Sequence, residues 1–153
     1  MKNAVCYYSY HHNNTLQVLK AMAQAAPLDL IDVASCQAAH LEHYACIGFA
    51  SGIYGFEVHK SVVEFARQHL PQRTPVFFVY TYGVSRGVGA RALEAVAQEK
   101  GCPVLGEFGC RGYDTFGPLR LIWGIAKGHP DQSDLERARA FYQKISTHSA
   151  GPA

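Results

Sequence analysis

Residues 7–22 read YYSYHHNNTLQVLKAM, and the change of character along this stretch decides the fold. An aromatic run ends at Ser9, polar and aromatic residues fill Tyr10 to Thr15, and a helical pattern follows. In that pattern Leu16, Leu19, Met22 and Ala23 share one face. A strand, a polar turn and a helix in this order form the first half of a βα unit.

The unit repeats along the chain. Ala4–Ser9, Ala45–Ala50, Pro75–Thr81 and Cys102–Phe108 are short apolar runs rich in β-branched or aromatic residues, and Leu28–Val33 is a weaker fifth. Helical patterns lie between them. One carries Val58, Val62, Phe65 and Leu70; another carries Leu93, Val96 and Ala97 and stops at Gly101. The last follows SDLE, where Ser133 and Glu136 make a capping box, and its apolar face is Leu135, Ala138, Phe141, Tyr142 and Ile145. Strands too continuously apolar for a one-sided sheet, alternating with helices, predict a parallel sheet covered on both faces. Residues 1–148 read as one α/β domain, with 149–153 as a frayed tail. Between Val33 and Tyr44 the pattern fits either a short helix or an irregular crossover.

Composition narrows the function. Of 153 residues, 48% are hydrophobic and 17% charged, which excludes a disordered chain. A net charge of +2 with no basic run makes no case for nucleic acid. The start MKNAVCYYSY lacks a signal-peptide pattern, and no segment reaches the roughly 20 apolar residues of a membrane span. The five cysteines are odd in number, widely spaced and without a CxxC pair, so a reduced, cytoplasmic protein is expected.

In a doubly wound sheet, ligands bind outside the carboxyl ends of the strands, where strand order reverses. The segments that follow strands one, three and four are SYHHNNT, SGIYGFEVHK and TYGVSRG. All three combine hydroxyl, aromatic and glycine or asparagine residues. In the first, Asn14 could cap the helix with Gln17 behind it, or Asn13 or Thr15 could serve. Asn13 falls where a left-handed turn is expected, and Asn tolerates that conformation. A helix N-terminus with Ser9, Asn14 and Thr15 around it suits a phosphate, whereas a capped polar turn without a ligand is the plainer alternative. In the second, Ser51 and Gly52 read as a tight exit from the sheet, and the aromatic loop residues suit a planar ligand or fold back on the sheet. His40 and His43 are spaced for a metal but have no third ligand near in sequence, so no metal site is expected. Gly109–Gln132 is the one long connection and reads either as a binding segment or as an irregular cover. Cys110 lies at the same edge and reads either as a reactive thiol or, more simply, as one that is buried or merely nearby.

The stretches YYSYHHNNT, IGFASGIYGFEVHK, FFVYTYG and GEFGCRGYDTFGP, in this order and spacing, resemble the flavodoxin family, specifically its compact bacterial members. The similarity runs from about residue 3 to residue 146. It implies a three-layer sandwich with a five-stranded parallel sheet in the order 2-1-3-4-5 and FMN at its edge. It implies that Tyr10, His11, His12, Asn13, Asn14 and Thr15, next to Ser9, form the FMN phosphate loop. It further implies that Ser51, Gly52, Ile53, Tyr54, Gly55 and Phe56 flank the flavin ring together with Thr81, Tyr82 and Gly83, with Tyr54 and Tyr82 as the stacking rings. The family usually has glycine where Asn13 stands, and its electron carriers are acidic, unlike this chain. The expected function is electron transfer between redox partner proteins. The alternative is an FMN reductase or quinone oxidoreductase using NAD(P)H, and a flavin-free module that binds a protein partner is a third reading.

Overall fold

A strand next to the middle of the sheet faces a glycine on each of its two neighbours. In a computed structural model, which describes residues 1–9, 13–36, 40–112 and 128–150, Phe77 lies across Gly48 and Tyr80 lies across Gly109. A Cβ at either glycine would come within 2.4 Å of the ring. The two rings point to opposite faces of their strand, one into each core. Each fills a volume that its neighbour leaves open.

That strand is β5 (Val76–Tyr82), and the sheet runs β2-β1-β3-β5-β6, all parallel. Its other members are β1 (Asn3–Tyr8), β2 (Asp29–Asp32), β3 (Cys46–Tyr54) and β6 (Val104–Arg111). The expected order 2-1-3-4-5 holds for these five strands. A two-residue strand, β4 (Glu57–Val58), pairs antiparallel with the end of β3.

On one face, α2 (Lys60–His69) and α3 (Arg91–Glu99) bury Val62, Phe65, Leu93 and Val96 against Ile47, Phe49, Phe78 and Tyr80. On the other, α1 (Asn14–Ala25) and α4 (Gln132–Ser149) bury Val18, Leu19, Met22, Ala138, Tyr142 and Ile145 against Val5, Ala50, Phe77 and Val79. The two cores explain why the strand runs are continuously apolar.

Several local expectations change. The buried residues of α1 are Thr15, Val18, Leu19, Ala21 and Met22, which leaves Leu16 and Ala23 only half-buried. Val58 belongs to β4 and not to α2, because the chain turns back on β3 before the helix begins. Ser133 and Glu136 do not cap α4. The box is made two residues earlier, with Asp131 Oδ1 accepting from the Asp134 N–H and Asp134 Oδ2 accepting from the Asp131 N–H, both at 2.8 Å. A carboxylate accepts more strongly than a hydroxyl, and DQSD satisfies both ends. Ser149 is not frayed, since its hydroxyl accepts from the Asn3 amide at 3.0 Å. Residues 33–44 hold a single 3-10 turn, Leu41–His43, with 37–39 outside the described residues. No disulfide joins any of the five cysteines. No described helix is long and apolar enough to cross a membrane.

Candidate functional site

The parallel register brings the ends of β1, β3, β5 and β6 level. Tyr8 lies opposite Ser51, Gly52 opposite Thr81, and Tyr82 opposite Arg111. The segment after β1 enters α1 through Asn13, which has φ 53° and ψ 35°. This is the left-handed conformation expected of it, and most side chains other than Asn or Gly resist it. Asn13 is the N-cap, and its carbonyl accepts from the Gln17 N–H at 3.0 Å.

Two hydroxyls pin this turn. Ser9 Oγ accepts from the Leu16 N–H at 3.3 Å. The buried Thr15 hydroxyl bonds that of Thr81 at 3.0 Å, which fastens the start of α1 to the end of β5. The side chain of Asn14 packs on Gly112, where a Cβ would lie 2.6 Å from the amide nitrogen. Gly112 donates its N–H to the Tyr82 carbonyl at 2.8 Å. The first turn of α1 contains no acidic residue. No acidic side chain therefore offsets the positive end of this helix, and Ser9, Asn13, Asn14 and Thr15 lie at it.

The second expected loop differs from its description. Ser51, Gly52, Ile53 and Tyr54 continue β3, and only Gly55 and Phe56 form the turn to β4. Gly52 is held by its partner Thr81 and so makes no exit from the sheet. Gly55 has φ +57° with open space where a Cβ would stand. Phe56, 72% exposed, also has positive φ, at 73°. Its carbonyl accepts from the Val88 N–H at 2.8 Å, and a Cβ on Gly87 would lie only 2.1 Å from that oxygen. The β3–β4 turn and the segment after β5 are thus fitted to each other through a glycine.

Of the two rings expected to stack on a ligand, Tyr82 meets Tyr80 and Tyr54 meets Tyr8 and His59. Tyr10, His11 and His12 lie outside the described residues, as does 113–127 of the long connection. That connection starts at Gly112, because β6 runs on to Arg111, and Gly83 follows β5 half-buried. The residues that the sequence alone did not single out are Tyr8, His59 and Gly112. A His two residues before a Ser is a weak capping signal, and a glycine touched by a distant side chain leaves no local trace.

Cys110 in β6 and His129 before α4 are titratable groups near this edge. Burial, and after it the neighbouring Asp134, pushes the Cys110 thiol up to about 12. His129 precedes α4 as expected of a turn residue, and its Nδ1 lies 2.6 Å from Asp134 Oδ2, while Arg137 bonds Asp134 Oδ1. His40 and His43 belong to the opposite edge, on the 3-10 turn that leads into the start of β3, where both face Glu42 at 3.6 and 3.7 Å.

No family model matches the sequence. An uncharacterized protein of Methanocaldococcus jannaschii is 33% identical over 147 residues, covering 95% of this chain and 98% of that one. Among solved structures, a flavodoxin from the domain Archaea matches with a TM-score of 0.74 at 15% identity, over 98% of this chain and 99% of the other. The flavodoxin of Fusobacterium nucleatum, solved with flavin mononucleotide bound, matches with a TM-score of 0.66 at 13% identity, over 97% and 99%. The chain belongs to one family with the M. jannaschii protein, and its fold is that of the flavodoxins.

Proposed function

We propose that the protein binds FMN at the carboxyl ends of β1, β3 and β5 and carries electrons between redox proteins. The observation that supports this best is the start of α1: an acid-free first turn, capped by a left-handed Asn13 and fastened by the Thr15–Thr81 bond. An anion is the ligand that such an end favours. In this reading Ser9, Asn13, Asn14 and Thr15 hold the phosphate, and Tyr10, His11 and His12 complete the loop. The Ser51–Phe56 segment and Thr81, Tyr82 and Gly83 flank the ring. When bound, FMN supplies one- and two-electron redox chemistry. The chain's own residues orient it, shield it from water and set its electrostatics.

Gly55 offers the conformational freedom that would let a carbonyl in the turn answer a change in flavin charge. Gly52, paired within the sheet, does not. Gly55→Ala therefore should shift the one-electron couples, on the order of 50 mV if the side chain penalises one backbone state by about 1 kcal/mol. Gly52→Ala should leave them nearly unchanged. Redox titration of both variants checks this assignment, and a shift confined to Gly52→Ala would reverse it.

The primary test is purification without added flavin, followed by FMN titration of the apoprotein. A yellow preparation with one releasable FMN per chain is the expected result; failure of the apoprotein to bind FMN removes the proposal. Steady-state oxidation of NAD(P)H with quinone acceptors would instead identify a reductase.

A further inference from the structure

His59 ties together three elements of the candidate site. Its backbone N–H donates to Ser51 Oγ at 2.9 Å, and that hydroxyl donates to the Gly52 carbonyl at 2.6 Å. Its Nδ1 accepts from the Ser61 N–H at 3.1 Å and lies 2.7 Å from Ser61 Oγ, so that the imidazole is the N-cap of α2. The ring stacks on Tyr8, with centroids 4.1 Å apart and planes 16° from parallel. Tyr54 meets both rings edge-on, 5.1 Å from His59 and 6.1 Å from Tyr8. Gly52 leaves room for this, since a Cβ there would already stand 3.3 Å from the Tyr54 ring.

An Nδ1 that accepts fixes the proton on Nε2 and makes the ring neutral. A second proton would have to enter at Nδ1, pointing at the Ser61 N–H donor. It would also put a cation at the positive end of α2. The charged and titratable groups around the ring are Tyr8 from β1, Tyr54 from β3, Glu57 opposite Tyr54 in β4, and Lys60 in α2. Burial first, and Lys60 second, hold the imidazole below its ordinary range.

We propose that His59 is a positioning residue of the flavin site, whose neutral capping ring holds Tyr54 in place, so that its protonation releases Tyr54 and weakens flavin binding. This rests on the FMN reading above. The linkage runs in one direction: the neutral ring contributes its full effect above about pH 6.5, and the effect is lost as pH falls through the lowered folded value.

Two measurements test it. In the apoprotein, proton NMR follows the His59 ring and the Tyr54 ring through a titration from pH 7.5 to 5, with Tyr54→Phe used to assign the tyrosine. The Tyr54 signals should move with the same midpoint as His59; Tyr54 signals that ignore the His59 titration would overturn the proposal. The second measurement compares FMN dissociation constants of wild type, His59→Asn and His59→Phe over the same range, which cancels the titration of the phosphate itself. Asn keeps a capping acceptor without a ring, and Phe keeps a ring without an acceptor. Wild type should bind about tenfold more tightly than either at pH 7.5, and the advantage should shrink towards pH 5. A ratio that stays constant with pH contradicts the proposal. Failure of wild type to bind FMN at all counts against the proposed function, and the apoprotein titration then decides the role of His59 alone.

Discussion

Asn13→Asp should weaken FMN binding by about a hundredfold or more while leaving stability within about 0.5 kcal/mol of wild type. Asn13 is exposed and is the N-cap of α1. The Asn13 side chain makes no capping hydrogen bond, so none is lost, and a negative charge at this helix end is favourable in the empty protein. The same charge beside a phosphate dianion is repulsive. Even at an effective dielectric constant near 20, two unit charges 4 Å apart interact by about 4 kcal/mol. Solvent screening reduces that figure and still leaves the roughly 2.7 kcal/mol that a hundredfold loss requires. Asn13→Gly is the matched control. It relieves the left-handed backbone, adds no charge and should bind FMN about as well as wild type. Isothermal titration with FMN and with riboflavin separates the causes. Only FMN binding should fall in Asn13→Asp, and an equal loss for riboflavin would move the phosphate away from α1.

Asp134→Ala should cost roughly 2–4 kcal/mol, read as a lowered urea midpoint at pH 7. Asp134 is 3% exposed and receives the Asp131 N–H, His129 and Arg137 while donating its own N–H to Asp131. Removing the carboxylate undoes half of the capping box and leaves His129 without its acceptor. Arg137, largely in solvent, recovers part of its hydration, which keeps the loss at the lower end for that contact. Burial alone would raise the Asp134 pKa. The Asp131 N–H and then His129 outweigh it and hold the carboxyl below its ordinary value. Its contribution is therefore complete above about pH 4 and is lost as pH falls through the lowered folded value. The gap between wild type and variant should accordingly close in acid. A gap that is the same at pH 7 and pH 3 would mean that packing, not the carboxylate, is responsible.

The architecture was legible because it rests on long-range repetition. AVCYYS, ACIGFA and PVFFVYT read as buried strands, and the helical patterns between them point to a parallel sheet covered on both faces. What escaped the sequence is local and depends on a competitor nearby. DQSDLE offers two overlapping capping boxes, and the carboxylate pair wins over Ser133 and Glu136. The turn after β3 is shorter than it reads, because GIYGF keeps strand pairing to Tyr54 and reverses only at Gly55 and Phe56, both with positive φ. The left-handed Asn13 was readable, as was the burial of Cys110. His59 was not, since its importance comes from Tyr8, fifty-one positions away, and from Ser51 across a hairpin.

The glycines beside β5 carry a consequence for inheritance. Phe77 and Tyr80 each occupy the space of a side chain missing from the adjacent strand. A larger residue at 48 or 109 is acceptable only in a chain whose residue 77 or 80 has become smaller. Among relatives of this protein, positions 48 and 77, and separately 80 and 109, should therefore drift as linked pairs, bulk passing from one strand to the next while their sum stays constant. Two mutations that are each harmful alone would meet there as a neutral exchange, written into opposite faces of one strand.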